Sequence, residues 1–364
     1  LARKSNRRDF LRGLSAAQAV GDAVEAALPP EWAMAASADS YLLRVGRRAM
    51  ACQFEISLNV GQYPQGLEAA MEVLDLVDRL ETQLSYFRPE SQISRINCEA
   101  AFRPVTVAPE VMEILVQAAE LSRQTAGAYD ITSAPLWETW GFARRAGAIP
   151  TDQQLAEAME LVGYEQLELD REQLTVRLAK PGMRLNLGSL GKGYTLDRCA
   201  KALLDAGVNH FLIHAGASSV IARGHRGVEF VAAGPQGPGW SVGLPSPLRP
   251  ERRMGLLRLN DRALGTSGAQ AQSFWHQGKR YGHLLDPRTG RPADRVLSAT
   301  AVTPSAMLAD ALSTAFYVMG AEAALDYCQT HADCGAVVFV RARRAGGLEI
   351  RTAGLDRKDL LLAE

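Results

Sequence analysis

The chain has 364 residues, 47% apolar and 22% charged, which excludes disorder as its main state and supplies side chains for a large core. Lys and Arg number 40 and so do Asp and Glu, so the formal net charge is zero and a role dominated by nucleic-acid binding is excluded. No apolar run reaches the roughly 18 residues of a membrane-spanning helix, and the length fits one large domain or two lobes.

The first residues read as an address. Arg3, Lys4, Arg7, Arg8 and Arg12 stand against Asp9 alone, and Ser5-Asn-Arg-Arg-Asp-Phe-Leu11 resembles a twin-arginine export signal. An Ala-rich stretch follows, with Ala36-Ser37-Ala38 as a small-residue cleavage site. Asp22 and Glu25 interrupt its apolar middle, so a basic amphipathic lead-in helix is the other reading. The expected organisation is a signal over residues 1–38, a periplasmic or exported product, and one domain over 39–364.

Residues 41–45 and 52–60 alternate apolar and polar positions and predict paired strands. Leu67, Met71, Leu74, Val77, Leu80 and Leu84 fall at helical spacing and predict a helix over 65–84. A second helix is expected over 109–126, with Pro109 in its first turn and Gly127 past its end, and a third over 151–161 capped by Thr151. Residues 166–169 and 174–178 predict a hairpin. A strand at 184–187 should lead through a Gly-rich turn into a helix ending near 206. Strands are expected at 210–215, 220–222 and 228–232, and a Gly- and Pro-rich surface loop over 235–250. Strands at 256–259, 282–285 and 298–302, a helix over 306–319 and a hairpin of 335–340 with 348–351 complete the chain. Strands and helices are interspersed, so the fold class is α/β or α+β.

The helix over 306–319 is apolar on all sides and should be buried. Its polar members are Asp310, Ser313 and Thr314. A buried carboxylate must be paired, hydrogen-bonded or bound to a cation. Asp310 and Thr314, four residues apart, present oxygens on one face. Hard oxygen ligands suit Mg²⁺; backbone groups or an Arg would satisfy Asp310 equally well. Residues 184–197 carry Gly188, Gly191 and Gly193 in a turn that opens a helix, an arrangement that aims N–H groups at an anion beside Lys192. The spacing matches neither a Walker A loop nor a dinucleotide fingerprint, and a plain tight turn is the alternative. His283, with Asp286 three residues on, reads as a general base or as a structural histidine. Arg288 and Arg291 meet phosphate or water. Asp130 and Thr132 are polar points in a packed stretch that runs into Trp137, Trp140 and Phe142, expected in the core. The five cysteines form no CxxC pair, which argues against zinc. Most of them read as buried small side chains, with Cys328 and Cys334 able to bridge in an oxidising compartment.

Six blocks in order resemble the ApbE family, the FAD:protein FMN transferases. They are Met50-Ala-Cys-Gln-Phe, residues 85–97, Tyr129-Asp-Ile-Thr-Ser-Ala-Pro-Leu136, Leu185-Asn-Leu-Gly-Ser-Leu-Gly-Lys-Gly-Tyr194, Thr266-Ser-Gly268 with residues 283–292, and residues 307–320. The resemblance runs from about Met50 to Gly320. It implies a T-shaped α/β (α+β) fold with mixed sheets and flanking helices, and FAD as substrate in a cleft between lobes with Mg²⁺. It implies transfer of FMN from FAD to a threonine hydroxyl of a partner redox protein carrying a Ser/Thr-Gly-Ala-Thr-type motif, with release of AMP. It also implies Asp310, Thr314 and the backbone carbonyl of Ser189 as metal ligands, and His283 as base. Met50, Phe87, Ala128, Tyr129, Asp130, Asn186, Lys192 and Leu285 would line the flavin nucleotide. Mn²⁺ is an alternative metal; an FAD pyrophosphatase and a non-catalytic FAD-binding assembly protein are alternative functions. Phe87 stands where the family usually has Tyr or Trp, Asn186 where it has Asp, and Ala134 and Ala217 where it has Gly. Thr266-Ser-Gly-Ala269 reads as a family block, not as a flavin acceptor.

Overall fold

The computed structural model describes residues 42–227, 239–268, 272–342 and 347–362. The expected signal with its cleavage site, Tyr41, the strand at 228–232, the start of the loop at 235 and Ala269 lie outside those residues.

The first alternating stretch forms a hairpin, Leu42–Ala49 (β1) with Cys52–Asn59 (β2), turned at Met50 and Ala51, whose φ angles are 47° and 59°. The hairpin begins an eight-stranded sheet continued by Phe211–Ala215 (β3), Ser219–Arg223 (β4), Ala263–Gly268 (β5), Ser298–Thr303 (β6), Gly335–Arg341 (β7) and Leu348–Ala353 (β8). Spatial order follows chain order, and each neighbouring pair is antiparallel. The sheet is therefore antiparallel rather than mixed. The α+β side of the expected fold class holds.

Between β2 and β3 lie the helices Gly66–Leu84 (α1), Gln92–Glu99 (α2), Pro109–Gln124 (α3), Ala134–Thr139 (α4), Asp152–Met159 (α5) and Gly191–Asp205 (α6). Ala306–Met319 (α7) and Ala321–Thr330 (α8) lie between β6 and β7. Of the apolar stripe that the spacing predicted for α1, Leu74, Val77, Leu80 and Leu84 are buried, whereas Leu67 and Met71 face solvent and Val73 takes a place in the core. Val73, Leu74 and Val77 pack with Phe54 and Ile56 of β2 and with Leu196 and Leu203 of α6. Leu312 and Phe316 of α7 share a core with Val111 and Leu115 of α3. Alternate sheet residues, among them Val220, Leu264, Val302 and Phe339, pack with Trp240 and Leu257 of a three-stranded sheet built from Trp240–Pro245, Arg253–Leu259 and Leu360–Leu362.

Three expectations change. Residues 184–187 form one bridge, Arg184 to Ser133, because the Asn186 N–H turns to the carbonyl of Ile131. Trp240–Pro245 is a strand inside the expected loop, its Trp240 and Leu244 buried. The strand at 282–285 is two: Lys279–Gly282 pairs with Ser273–His276, and Leu285–Asp286 with Arg291–Pro292. No helix among the described residues is long and apolar enough to cross a membrane.

Two glycines let α7 lie close to its neighbours. A Cβ on Gly265 of β5 would sit 2.4 Å from the Ala309 carbonyl oxygen, and one on Gly193 of α6 2.1 Å from that of Ala306. Gly193→Ala should force α6 and α7 apart and cost about 1–3 kcal/mol, read as a lower urea midpoint. An unchanged midpoint would mean that the helices adjust freely.

Candidate active site

The site is built where α6 and α7 brace each other. Asp197 of α6 accepts hydrogen bonds from the N–H groups of Ala306 (2.7 Å) and Met307 (2.9 Å) and from Ser305 Oγ (2.7 Å), so it caps the start of α7. In return the Gly193 N–H, in the first turn of α6, donates to Asp310 Oδ2 at 2.8 Å, and Ser219 Oγ on β4 donates to the same oxygen at 2.9 Å. Among the described residues Asp310 Oδ1 accepts no hydrogen bond and the carboxylate has no ion pair. Asp310 is 6% exposed. Burial pushes its pKa up to about 6, against the opposing pull of Lys192, Ser219 and Gly193. Removing the brace with Asp197→Ala would leave two helix N–H groups without their acceptor. A loss of about 1–3 kcal/mol is expected in chemical denaturation; no loss would show that water replaces the cap.

A cavity of about 330 Å³ opens beside this brace. It is lined by Ala128, Tyr129, Asp130, Asn186, Ser189, Lys192, His283, Leu285, Asp310 and Thr314, so it gathers all but two of the expected site residues. Met50 and Phe87 do not line it. Met50 lies in the β1–β2 turn, where its N–H donates to Glu81 and its sulfur accepts from Thr195 Oγ1 at 3.6 Å. Phe87 is 67% exposed, its ring 6.2 Å from that of Trp137, which does line the cavity. Trp140 and Phe142 are buried, as expected.

His283 is set by its neighbours. Its N–H and its Nδ1 lie 3.1 and 3.0 Å from the carbonyl oxygen of Gln272. A carbonyl only accepts, so Nδ1 carries the hydrogen and Nε2 keeps the lone pair. Burial, with Lys192 nearby, lowers its pKa from the ordinary 6.5, which keeps the ring neutral at neutral pH. Asp286 does not serve His283: its carboxylate holds the Arg288 guanidinium through two hydrogen bonds of 2.8 Å and closes the turn there. Arg291 pairs with Asp152.

Lys192 Nζ donates to Ser218 Oγ. Asp130 spends its oxygens on local structure, accepting from the N–H and Oγ1 of Thr132 and from the N–H of Tyr164. Asn186 Oδ1 accepts from the Gly188 N–H at 2.8 Å, which shapes the turn that presents Ser189. An amide oxygen does this as a carboxylate would, so the departure from Asp leaves the turn intact. Ser189 Oγ donates to the buried hydroxyl of Tyr129 at 3.2 Å. Thr314 Oγ1 lies 3.1 Å from Ser267 Oγ and 3.4 Å from the Asp310 carbonyl.

The donor set fits a hard divalent cation. A buried carboxylate with no ion pair among the described residues, the Thr314 hydroxyl and Ser189 share one cavity, and oxygen ligands that leave room for water and phosphate are what Mg²⁺ takes. No group of three or more His, Cys, Asp or Glu side chains gathers among the described residues. Sequence reasoning missed Asp197, Ser218, Ser219 and Gln272, and gave Ser267 of the Thr266-Ser-Gly268 block no role. Asp197 carried a usable signal, a carboxylate on an apolar helix face; the serines and Gln272 carried none.

The sequence profile of the ApbE family matches residues 50–338. The chain belongs to the ApbE family. Its relatives include proteins named FAD:protein FMN transferase from Vibrio cholerae and Haemophilus influenzae. The first is 29% identical over 255 residues, covering 69% of this chain and 73% of the relative. The second is 28% identical over 295 residues, covering 79% and 82%. The ApbE protein of Thermotoga maritima has a solved structure that superposes with a TM-score of 0.75 at 26% identity, over 85% of this chain and 96% of its own. The flavin transferase ApbE of Vibrio cholerae superposes with a TM-score of 0.73 at 25% identity, over 86% and 97%. The ApbE match takes in every residue that lines the cavity.

Proposed function

We propose that this chain is an FAD:protein FMN transferase that moves FMN from FAD to a threonine hydroxyl of a partner redox protein, requires Mg²⁺ and releases AMP. The observation that carries the reading is one cavity holding a neutral histidine with its lone pair on Nε2, a lysine, and a buried carboxylate that has no ion pair among the described residues, in a member of this family. In the step, a bond forms between the threonine oxygen and the phosphorus of the FMN half. The bond from that phosphorus to the bridging oxygen breaks, and its electron pair leaves with AMP. His283 Nε2 takes the threonine proton. Lys192 and the N-terminal turn of α6 hold phosphate oxygens and keep the reacting groups in line. Asp310, Thr314 and the Ser189 carbonyl would hold Mg²⁺, which when bound neutralises charge on the pyrophosphate. The basic block around Arg7 and Arg8 supports a periplasmic or exported setting, so the acceptor is sought among exported redox proteins with a Ser/Thr-Gly-Ala-Thr-type motif.

The test is the intact mass of a threonine-bearing acceptor domain after incubation with the chain, FAD and Mg²⁺. A gain of one FMN moiety, absent with a chelator, is the expected result. Steady release of AMP and FMN with unmodified acceptor would make the protein a pyrophosphatase. FAD bound but unchanged, with or without Mg²⁺, would make it a binding protein.

A further inference from the structure

We propose that Cys328 and Cys334 are a built thiol pair that closes to a single intrachain disulfide when the chain meets an oxidising thiol–disulfide pool. The inference stands apart from the transferase reading and rests on the geometry behind α7. Cys328 lies in the last turn of α8 and Cys334 one residue before β7. Their sulfurs are 3.5 Å apart, and both residues are 3% exposed. The turn between them is held in the shape that brings the sulfurs together. The Cys334 N–H donates to the His331 carbonyl at 2.9 Å, and the His331 ring stacks on Tyr327 with centroids 3.9 Å apart. The remaining cysteines show what an unpaired thiol looks like in this fold. Cys98 is exposed, Cys52 half-buried, and Cys199 buried with its sulfur on the Val73 carbonyl. Neither Cys328 nor Cys334 lines the cavity, so catalysis gives no reason for two thiols to meet there.

The contact lowers the pKa of Cys328 and raises that of Cys334, so Cys328 ionises first and supplies the attacking sulfur. Its thiolate attacks a low-molecular-weight disulfide such as oxidised glutathione, and one thiolate leaves. Cys334 then loses its proton and displaces the second thiolate from the Cys328 sulfur. Two protein thiols are oxidised, one small disulfide is reduced to two thiols, and the two protons pass to them. The bond ties the end of α8 to the start of β7. Since α8 follows α7 directly across Gly320, it fastens the support behind the helix that carries Asp310.

The full chain would be equilibrated in glutathione buffers of graded oxidised fraction, as native protein and after unfolding and refolding in the same buffers. The samples would then be alkylated, weighed and peptide-mapped. The expected result is a loss of about 2 Da with one peptide linked through Cys328 and Cys334, absent in Cys328→Ala and in Cys334→Ala. Linkage only after refolding would also support the pair, because the bond then forms before the sulfurs are buried. The proposal is overturned if both cysteines are fully alkylated in both arms while exposed Cys98 is modified, or if either is linked to another cysteine instead.

Discussion

Asp310→Asn is expected to make the metal-free protein more stable while removing its transferase activity. In the folded chain burial raises the Asp310 pKa from 3.8 to about 6, so the native state holds this proton more tightly than the unfolded chain does. Below pH 4 both states are protonated and the residue imposes no penalty. As pH rises through 6 the native carboxylate must ionise in a buried place, and stability falls by about 3 kcal/mol, the free-energy equivalent of the shift. Asparagine keeps an oxygen for the Gly193 and Ser219 donors but carries no charge. The variant should therefore melt several degrees higher than the parent at pH 8, and the gap should close at pH 4. Mg²⁺ should raise the melting temperature of the parent alone. On the proposed metal role of Asp310, transfer should fall by at least ~100-fold, because charge neutralisation on the pyrophosphate would be lost. An active variant, or equal stabilisation of both proteins by Mg²⁺, would remove Asp310 from the metal site.

The second large effect is expected at His283. His283→Gln keeps a side-chain N–H able to reach the Gln272 carbonyl but offers no basic nitrogen. Transfer should slow by ~10²–10⁴-fold, while FAD affinity changes little, if the ring acts as the base proposed above. The pH profile separates this role from a structural one. Burial depresses the His283 pKa, so the base is ready at neutral pH and is lost only as pH falls below the ordinary 6.5. The parent should show an acid limb there in kcat/KM, and the variant should lack it. A variant within about threefold of the parent that keeps the limb would assign the proton to another group.

Much of this architecture was legible because its signals are local. The helix α7 is apolar all round, begins at the Ser305 cap and ends at Gly320, and its bounds follow directly from the sequence. Asp310 was conspicuous in it because a carboxylate among apolar neighbours demands an explanation. Asp197 meets the same criterion, and the capping of another helix that explains it is a tertiary event no window around residue 197 reveals. Strand β5 escaped because Gly265, Thr266, Ser267 and Gly268 lower its strand signal, yet Gly265 is what admits the α7 backbone. Trp240–Pro245 was hidden by the glycines and prolines around it. At the site, the resemblance gathered most lining residues, while Met50 and Phe87 fall outside because a turn and a rim position direct them elsewhere.

The position of β3 beside β2 bears on how the protein is made. Phe54 pairs with Ala215, so every helix from α1 to α6 is synthesised before the second and third strands can meet. The α6–α7 brace forms later still, because its second half lies further along the chain: Gly193 awaits Asp310, and Asp197 awaits Ala306. A ribosome-bound chain that stops short of residue 306 thus has Asp197 without the α7 N–H groups it caps, and no complete cavity. Long-range closure of this kind is slow and comes late. Arrested nascent chains of increasing length should gain protease resistance and flavin binding together, only once α7 has emerged, so the chain needs protection until close to the end of its synthesis.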